Sequence, residues 1–312
     1  MTFAQTELAE ILKNPSSYKT QPKSVKLRET DSSYLFEGDE WLYKIKKEGN
    51  EFPTLAVKEA YCHEECRLSN IFNPNWNSTV LTIIEHNGDI KIGGTEGEPI
   101  EYALKIENLP ENFLLSSLLE NDAVTKNNMI NIARRIAEIH STSPAKDKAA
   151  ESGKAESVRA LCDDMLFQMK RYFDASMTQP ILDMIRHPLE KFIDQNKRLF
   201  SKRHQKNRIV HGHGAFLPEH IFVSEKDVHF ISPQEVHRKL ADLDVANDVS
   251  SLTVELTRLG KNDLAETFLN HYLDISNDLD LQKMLPLYQT YCALKQGVRT
   301  CELKVAREDE KL

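Results

Sequence analysis

Apolar positions in the first hundred residues fall in short runs broken by turn residues, the texture of strands. Ser33-Tyr34-Leu35-Phe36 leads through Glu37-Gly38-Asp39-Glu40 into Trp41-Leu42-Tyr43-Lys44-Ile45-Lys46. Two such runs around a Gly-Asp turn predict a hairpin. Helical periodicity follows over about Leu55–Ile71, and Val80–Ile84 and Ile100–Ile106 predict two further strands. Gly93-Gly94-Thr95-Glu96-Gly97 reads as a turn between them. It lacks the preceding strand and following helix of a phosphate loop, so it is given no nucleotide role.

Beyond Asn108-Leu109-Pro110 the period changes to that of helices. Met129, Ile132, Ala133, Ile136 and Ile139 share one face of a helix ending at His140. Pro144–Lys154 is small and polar, a loop. Leu161–Phe200 predicts two helices, and Arg208–Val236 a strand-and-loop stretch. Helices resume from about Asp248, with Gly260 a C-cap and Asn262 an N-cap for the segment carrying Leu264, Phe268 and Tyr272. The pattern predicts an α+β chain: a strand-rich lobe over residues 1–107, then a larger helical lobe over 108–312. No internal repeat is present.

Composition narrows the function class. The 312 residues carry a formal net charge of -8, which speaks against a broad nucleic-acid or anionic-membrane footprint. The basic runs Lys44-Ile45-Lys46-Lys47 and Lys202–Arg208 read as solvated faces. Five cysteines (Cys62, Cys66, Cys162, Cys292, Cys301) are odd in number and form no CxxC pair, which points to a reducing compartment. Neither a signal-peptide pattern nor a bilayer-length apolar run is visible, so the expected location is the cytoplasm.

Three features carry candidate chemistry: a strand lysine, a helix glutamate and a later His-Gly loop. A strand Lys neutralises nucleotide phosphates and is steadied by a helix Glu, while a loop acid orients the acceptor hydroxyl and further side chains hold magnesium. Lys44 and Lys46 share a strand face by the two-residue period, and Glu64 and Glu65 lie mid-helix.

In order and spacing these features resemble the aminoglycoside phosphotransferase-like family of protein kinase-like fold, in particular its bacterial branch of predicted phosphotransferases. Glu29–Asp39 looks like that branch's first hairpin, Tyr43-Lys44-Ile45-Lys46-Lys47 like its lysine strand, and Tyr102-Ala103-Leu104-Lys105-Ile106 like the strand entering the interlobe hinge. Glu65 falls where the family's helix Glu is expected. Asp244-Val245-Ala246-Asn247-Asp248 resembles the segment after the metal-binding strand. The resemblance implies a two-lobed fold with ATP and magnesium as cofactors, Lys44 and Glu65 on the nucleotide side, and a catalytic loop within 211–236.

Departures concentrate in that loop. The family pattern is His-Gly-Asp with a His or Asn five residues after the Asp; here it reads His213-Gly214-Ala215, with His220 at the downstream magnesium-ligand position. The metal-binding Asp of the next strand maps onto Ser232. A methyl group neither accepts a proton nor orients a hydroxyl, and a serine hydroxyl is a poor magnesium ligand beside a carboxylate.

The resulting expectation is a catalytically impaired pseudokinase with a nucleotide-binding or scaffold role. The alternative is an active ATP-dependent kinase of a small hydroxyl substrate using Glu219 or Glu235 as relocated carboxylates, or His211 as base. A more remote reading is a metal enzyme built on His211, His213 and His220, from a run of six histidines (His204, His211, His213, His220, His229, His237). A nucleotide or small molecule is the expected ligand, with neither nucleic acid nor membrane; the acceptor substrate and any protein partner stay open.

Overall fold

The computed structural model describes residues 4–30, 32–49, 52–172, 178–224, 227–231 and 242–309. Two compact units emerge. The first runs to Ser117 and takes in the segment beginning at His229; the second begins at Leu118 and holds the C-terminal helices.

The first unit opens with α1 (Gln5–Ile11) and continues through β1 (Lys26–Glu29), β2 (Ser33–Glu37), β3 (Trp41–Lys46), α2 (Leu55–Phe72), β4 (Thr79–His86), β5 (Asp89–Ile92) and β6 (Glu98–Glu107). The strands form one antiparallel sheet in the order β1-β2-β3-β6-β4-β5. Strand alternation sorts β3 into two faces. Tyr43 and Ile45 join Leu8, Leu12, Tyr34, Phe36 and Ile83 in an apolar core beneath α1. Full burial of one such aliphatic or aromatic side chain contributes roughly 1.5–3 kcal/mol. Lys44 and Lys46 point the other way, toward Glu65 of α2. Helix α2 starts at Thr54, whose side chain accepts a hydrogen bond from the Val57 amide.

The remaining elements are α3 (Leu115–Glu120), α4 (Lys126–Thr142), α5 (Asp147–Ala150), α6 (Ala155–Met169), α7 (Gln179–Gln195), α8 (Lys197–Gln205), β7 (Ile209–His211), β8 (Ile221–Val223), β9 (Val228–Phe230), β10 (Asp242–Asp244), α9 (Val245–Arg258), α10 (Asn262–Ser276) and α11 (Leu281–Asp309). In the second unit α9 is the central helix. Val245 to Thr253 are all buried, and α9 packs against α10 and α11 while α10 packs on α4. A helix buried on every side is an interior element of a larger fold. Arg203 of α8, 1% exposed, binds Asp244 and Asp278 and so ties α8 to β10 and to the α10–α11 connection. Among the described residues no helix is long and apolar enough to cross a membrane.

The predicted hairpin, the α2 helix and strands β4 and β6 stand where the pattern placed them. Strand β5 was missed, although Asn87 and Gly88, at φ 53° and 88°, make the left-handed two-residue turn that joins β4 to β5. Pro144–Lys154 is not simply a loop, since it holds α5 and a short 3-10 turn at Glu151–Gly153. Three helices, not two, occupy the stretch around Leu161–Phe200. Gly260 follows the C-cap of α9 at φ 74°, whereas Asn262 is the first residue of α10, with Lys261 at the N-cap.

Candidate functional site

Two clusters collect the sequence-predicted residues, one within each unit. In the first, Lys44 donates to Glu65, and Lys46 lies 3.8 Å from the other oxygen of the same carboxylate. All three side chains are at most 5% exposed. Burial pulls the Lys44 ammonium down to about 7, with Glu65 opposing the shift and Lys46 adding to it. Lys46 also sits 5.0 Å from the centre of the Tyr61 ring. The carboxylate thus faces two ammonium groups. Glu64, the other helix candidate, pairs with Arg67 at 2.8 Å on the exposed side of α2.

The same helix reaches one further element of its own unit. Asn73, at the α2 C-cap, donates to the Phe230 carbonyl at 2.6 Å and accepts from the Phe230 amide at 3.0 Å. Phe230 packs edge-on against Phe72, and Trp76 stacks on His229 at 5.3 Å. Ser232 and Glu235, which the sequence places just beyond this clamp, lie outside the described residues, as does His237.

In the second unit the loop after β7 is held by a residue that sequence reasoning named only as part of a resembling segment. Asp248 of α9, 2% exposed, accepts from the His213 amide at 2.6 Å, the Gly214 amide at 2.8 Å and His140 Nε2 at 3.2 Å. With Nε2–H committed to the carboxylate, His140 Nδ1 accepts from the Tyr272 hydroxyl at 2.8 Å. Burial alone would raise the Asp248 carboxyl, but His140 and the His213 amide outweigh it and hold it below the ordinary aspartate range. Gly214 has φ 73°, a conformation that lets two successive amides point at one carboxylate.

His213 is 0% exposed and packs against Phe216 and His220, at ring separations of 5.6 and 5.7 Å. His220 Nδ1 donates to the Ala215 carbonyl at 2.8 Å, which leaves the lone pair of the neutral imidazole on Nε2. Ala215 is only half-buried, so its methyl lies where the loop reaches its surface. Two cations from α11 complete the surroundings: Lys295 donates to the Gly214 carbonyl at 2.8 Å, and Arg299 to Glu219 at 2.6 Å. Burial would raise the Glu219 carboxyl, yet the Arg299 guanidinium keeps it below the ordinary glutamate range. His211 is bonded through Nδ1 to Asp242 across the β7–β10 pair.

Magnesium fits this donor set poorly. Mg²⁺ wants oxygen ligands in octahedral array. The loop's described side chains offer an alanine methyl, an imidazole and a glutamate already engaged by Arg299. Nor does the histidine run gather into a metal centre: among the described residues no three His, Cys, Asp or Glu side chains form a group able to hold an ion. Cys62 is buried, its thiol pushed up to about 12 chiefly by desolvation. Lys44 and Glu65 are the charged groups of the first unit that the resemblance assigned to the nucleotide side, and with Lys46 they are buried against one another.

No protein-family model matches the chain. Among curated proteins it is 21% identical, over 286 residues, to uncharacterized proteins of Mycobacterium bovis and Mycobacterium tuberculosis, covering 90% of this chain and 56% of each relative. The chain therefore spans little more than half the length of these relatives. Among solved structures it is similar to a choline/ethanolamine kinase family protein from Mesorhizobium loti, with a TM-score of 0.56 at 10% identity, covering 98% of this chain and 88% of that one. An aminoglycoside phosphotransferase from Alicyclobacillus acidocaldarius aligns over 95% of both chains, with a TM-score of 0.45 at 12% identity. The architecture is the two-lobed α+β fold of protein kinase-like phosphotransferases. The lobes correspond to the sheet unit with α2 and the helical unit around α9.

Proposed function

We propose that the protein is a catalytically impaired member of the kinase-like phosphotransferases that keeps a nucleotide-binding role through Lys44 and Glu65. One observation carries this reading: Asp248 fixes the His213-Gly214 turn by two amide hydrogen bonds, yet the next residue presents a methyl group. A loop kept in shape without its acid supports binding and argues against efficient transfer, because acceptor orientation and metal charge compensation supply much of phosphoryl-transfer catalysis. Rescue by Glu219 is disfavoured by its ion pair with Arg299, since a relocated base would first have to give up that partner.

Titration calorimetry with ATP, together with an assay of γ-phosphate release, tests the proposal. Binding by the wild-type protein, weakened at least about tenfold in Lys44→Met as expected for loss of a charged hydrogen bond, is the predicted result, with no phosphate release above buffer. Turnover at ordinary kinase rates, or ATP binding indifferent to Lys44, contradicts it. Absence of ATP binding altogether reduces the role to that of a scaffold.

A further inference from the structure

A cavity of about 160 Å³ lies inside the first unit, where Thr20 and Pro22 meet the Gly38–Trp41 turn and Tyr43. Trp41 and Tyr43 alternate along β3 with Lys44 and Lys46, so the cavity belongs to the opposite face of the strand from the lysine cluster. Gly38 lets the two segments meet. A Cβ there would stand 3.3 Å from Pro22 Cβ and 3.3 Å from the Trp41 carbonyl, tighter than a side chain accepts without a shift. Thr20, Asp39 and Glu40 are exposed, so the cavity opens to solvent.

Its chemistry is that of a cation site. Asp39 uses one carboxylate oxygen to accept from the Lys23 amide at 2.9 Å, and among the described residues neither Asp39 nor Glu40 forms an ion pair. At the buried end Tyr43, 3% exposed, shares a hydrogen bond of 3.0 Å with the Thr20 hydroxyl. Burial raises the Tyr43 phenol above its ordinary value, so it stays a neutral hydroxyl, and both oxygens keep lone pairs for an N–H donor. The Trp41 ring already attracts a cation of the chain itself, since Lys105 Nζ sits 3.6 Å from its centre. Glu40 acts on that same ammonium, partly opposing the lowering that desolvation causes. As to size, a cavity of about 150 Å³ holds a benzene molecule, so this one has room for about six heavy atoms.

We propose that this cavity binds a small primary alkylammonium ion, its charge set against Asp39, Glu40 and the Trp41 ring and its N–H donors against the Thr20 and Tyr43 hydroxyls. A quaternary ammonium has no N–H and would leave the carboxylate and hydroxyl oxygens without donors, so the site selects against it. The proposal is independent of the nucleotide reading, whose residues lie on the other face of β3.

Calorimetric titration of the full chain with n-butylammonium chloride, run beside tetramethylammonium chloride at equal concentration, tests it. Saturable binding of n-butylammonium in the millimolar range is expected, with tetramethylammonium at least about tenfold weaker. The double variant Asp39→Asn, Glu40→Gln keeps an oxygen for the Lys23 amide but removes both charges, and is expected to bind n-butylammonium about tenfold or more weakly. Circular dichroism verifies that the variant is folded. No saturable binding by the wild type at tens-of-millimolar ligand overturns the proposal without recourse to any variant. Tetramethylammonium binding as tightly as n-butylammonium overturns it too, because the hydroxyls and carboxylates would then receive no N–H. Binding unchanged in the double variant likewise overturns it, placing the ion elsewhere on the chain.

Discussion

Glu65 and Asp248 are buried carboxylates with different partners, lysines for the one and a histidine with two backbone amides for the other, and each makes a distinct prediction. Glu65 neutralises two lysines at once. Removing Lys44 still leaves Lys46 beside the carboxylate, whereas removing Glu65 leaves two ammonium groups side by side. Glu65→Ala is therefore expected to destabilise the fold more than Lys44→Met, by about 3–5 kcal/mol against a smaller loss, as read from urea denaturation midpoints. Equal costs contradict the shared-carboxylate arrangement. Asp248 has a folded-state pKa below its unfolded value of about 3.9, so its contribution is fully present above that pH and is lost as pH falls through the folded value. Asp248→Asn should flatten the acid limb of stability below about pH 4 while lowering stability at neutral pH. An unchanged acid limb counts against the clamp. Asp248 was the residue least legible in the sequence. A carboxylate four residues into a helix reads as an ordinary helix-start acid, and its partners His140 and the His213 and Gly214 amides are 108, 35 and 34 positions away with no local pattern to join them. Lys44 and Ala215 were legible because strand alternation and the His-Gly turn are local signals. Ser232 and Glu235 fall outside the described residues, so their part in the site stays a proposal.

Elements show the same division between local and long-range information. Helix α2 was legible from its period, but its purpose as a beam was not: it carries Glu65 in the middle and Asn73 at its end, the latter gripping both backbone groups of Phe230. Asn73→Ala removes two buried hydrogen bonds and should cost about 2–3 kcal/mol in thermal or chemical unfolding, where a surface change on α2 such as Arg67→Ala costs less than about 1 kcal/mol. In the helical unit, Arg203 anchors α8 to β10 and the α10–α11 connection through two carboxylates. Arg203→Met leaves Asp244 and Asp278 buried without it and should cost about 3–5 kcal/mol, a loss that a near-normal midpoint would refute. The sequence showed only an arginine in a basic run, because the aspartates that explain its burial come from distant segments. Strand β5 was overlooked for a different reason: the Asn87-Gly88 turn was present, but the denser glycines that follow drew the turn assignment to themselves.

On the scale of the whole chain, the structure shows a two-lobed kinase-like fold with an alanine after the His213-Gly214 turn, and the proposed reading of that pair is a molecule that holds a ligand without efficient transfer. Order and spacing of motifs made that fold readable before any coordinates. What they left out was how the helical lobe compensates the loop, through Asp248 on its amides and Lys295 on its carbonyl. Both features hold the loop with the chain's own groups, and the proposed reading, in which the loop offers magnesium few oxygen ligands, expects ATP binding that does not depend on the metal. The most direct test is the melting temperature of the full chain with saturating ATP, in EDTA and in millimolar magnesium. A ligand that binds only the folded state must raise the transition by mass action. The account predicts a rise of similar size in both buffers; a rise that appears only with magnesium, or none in either, would contradict it.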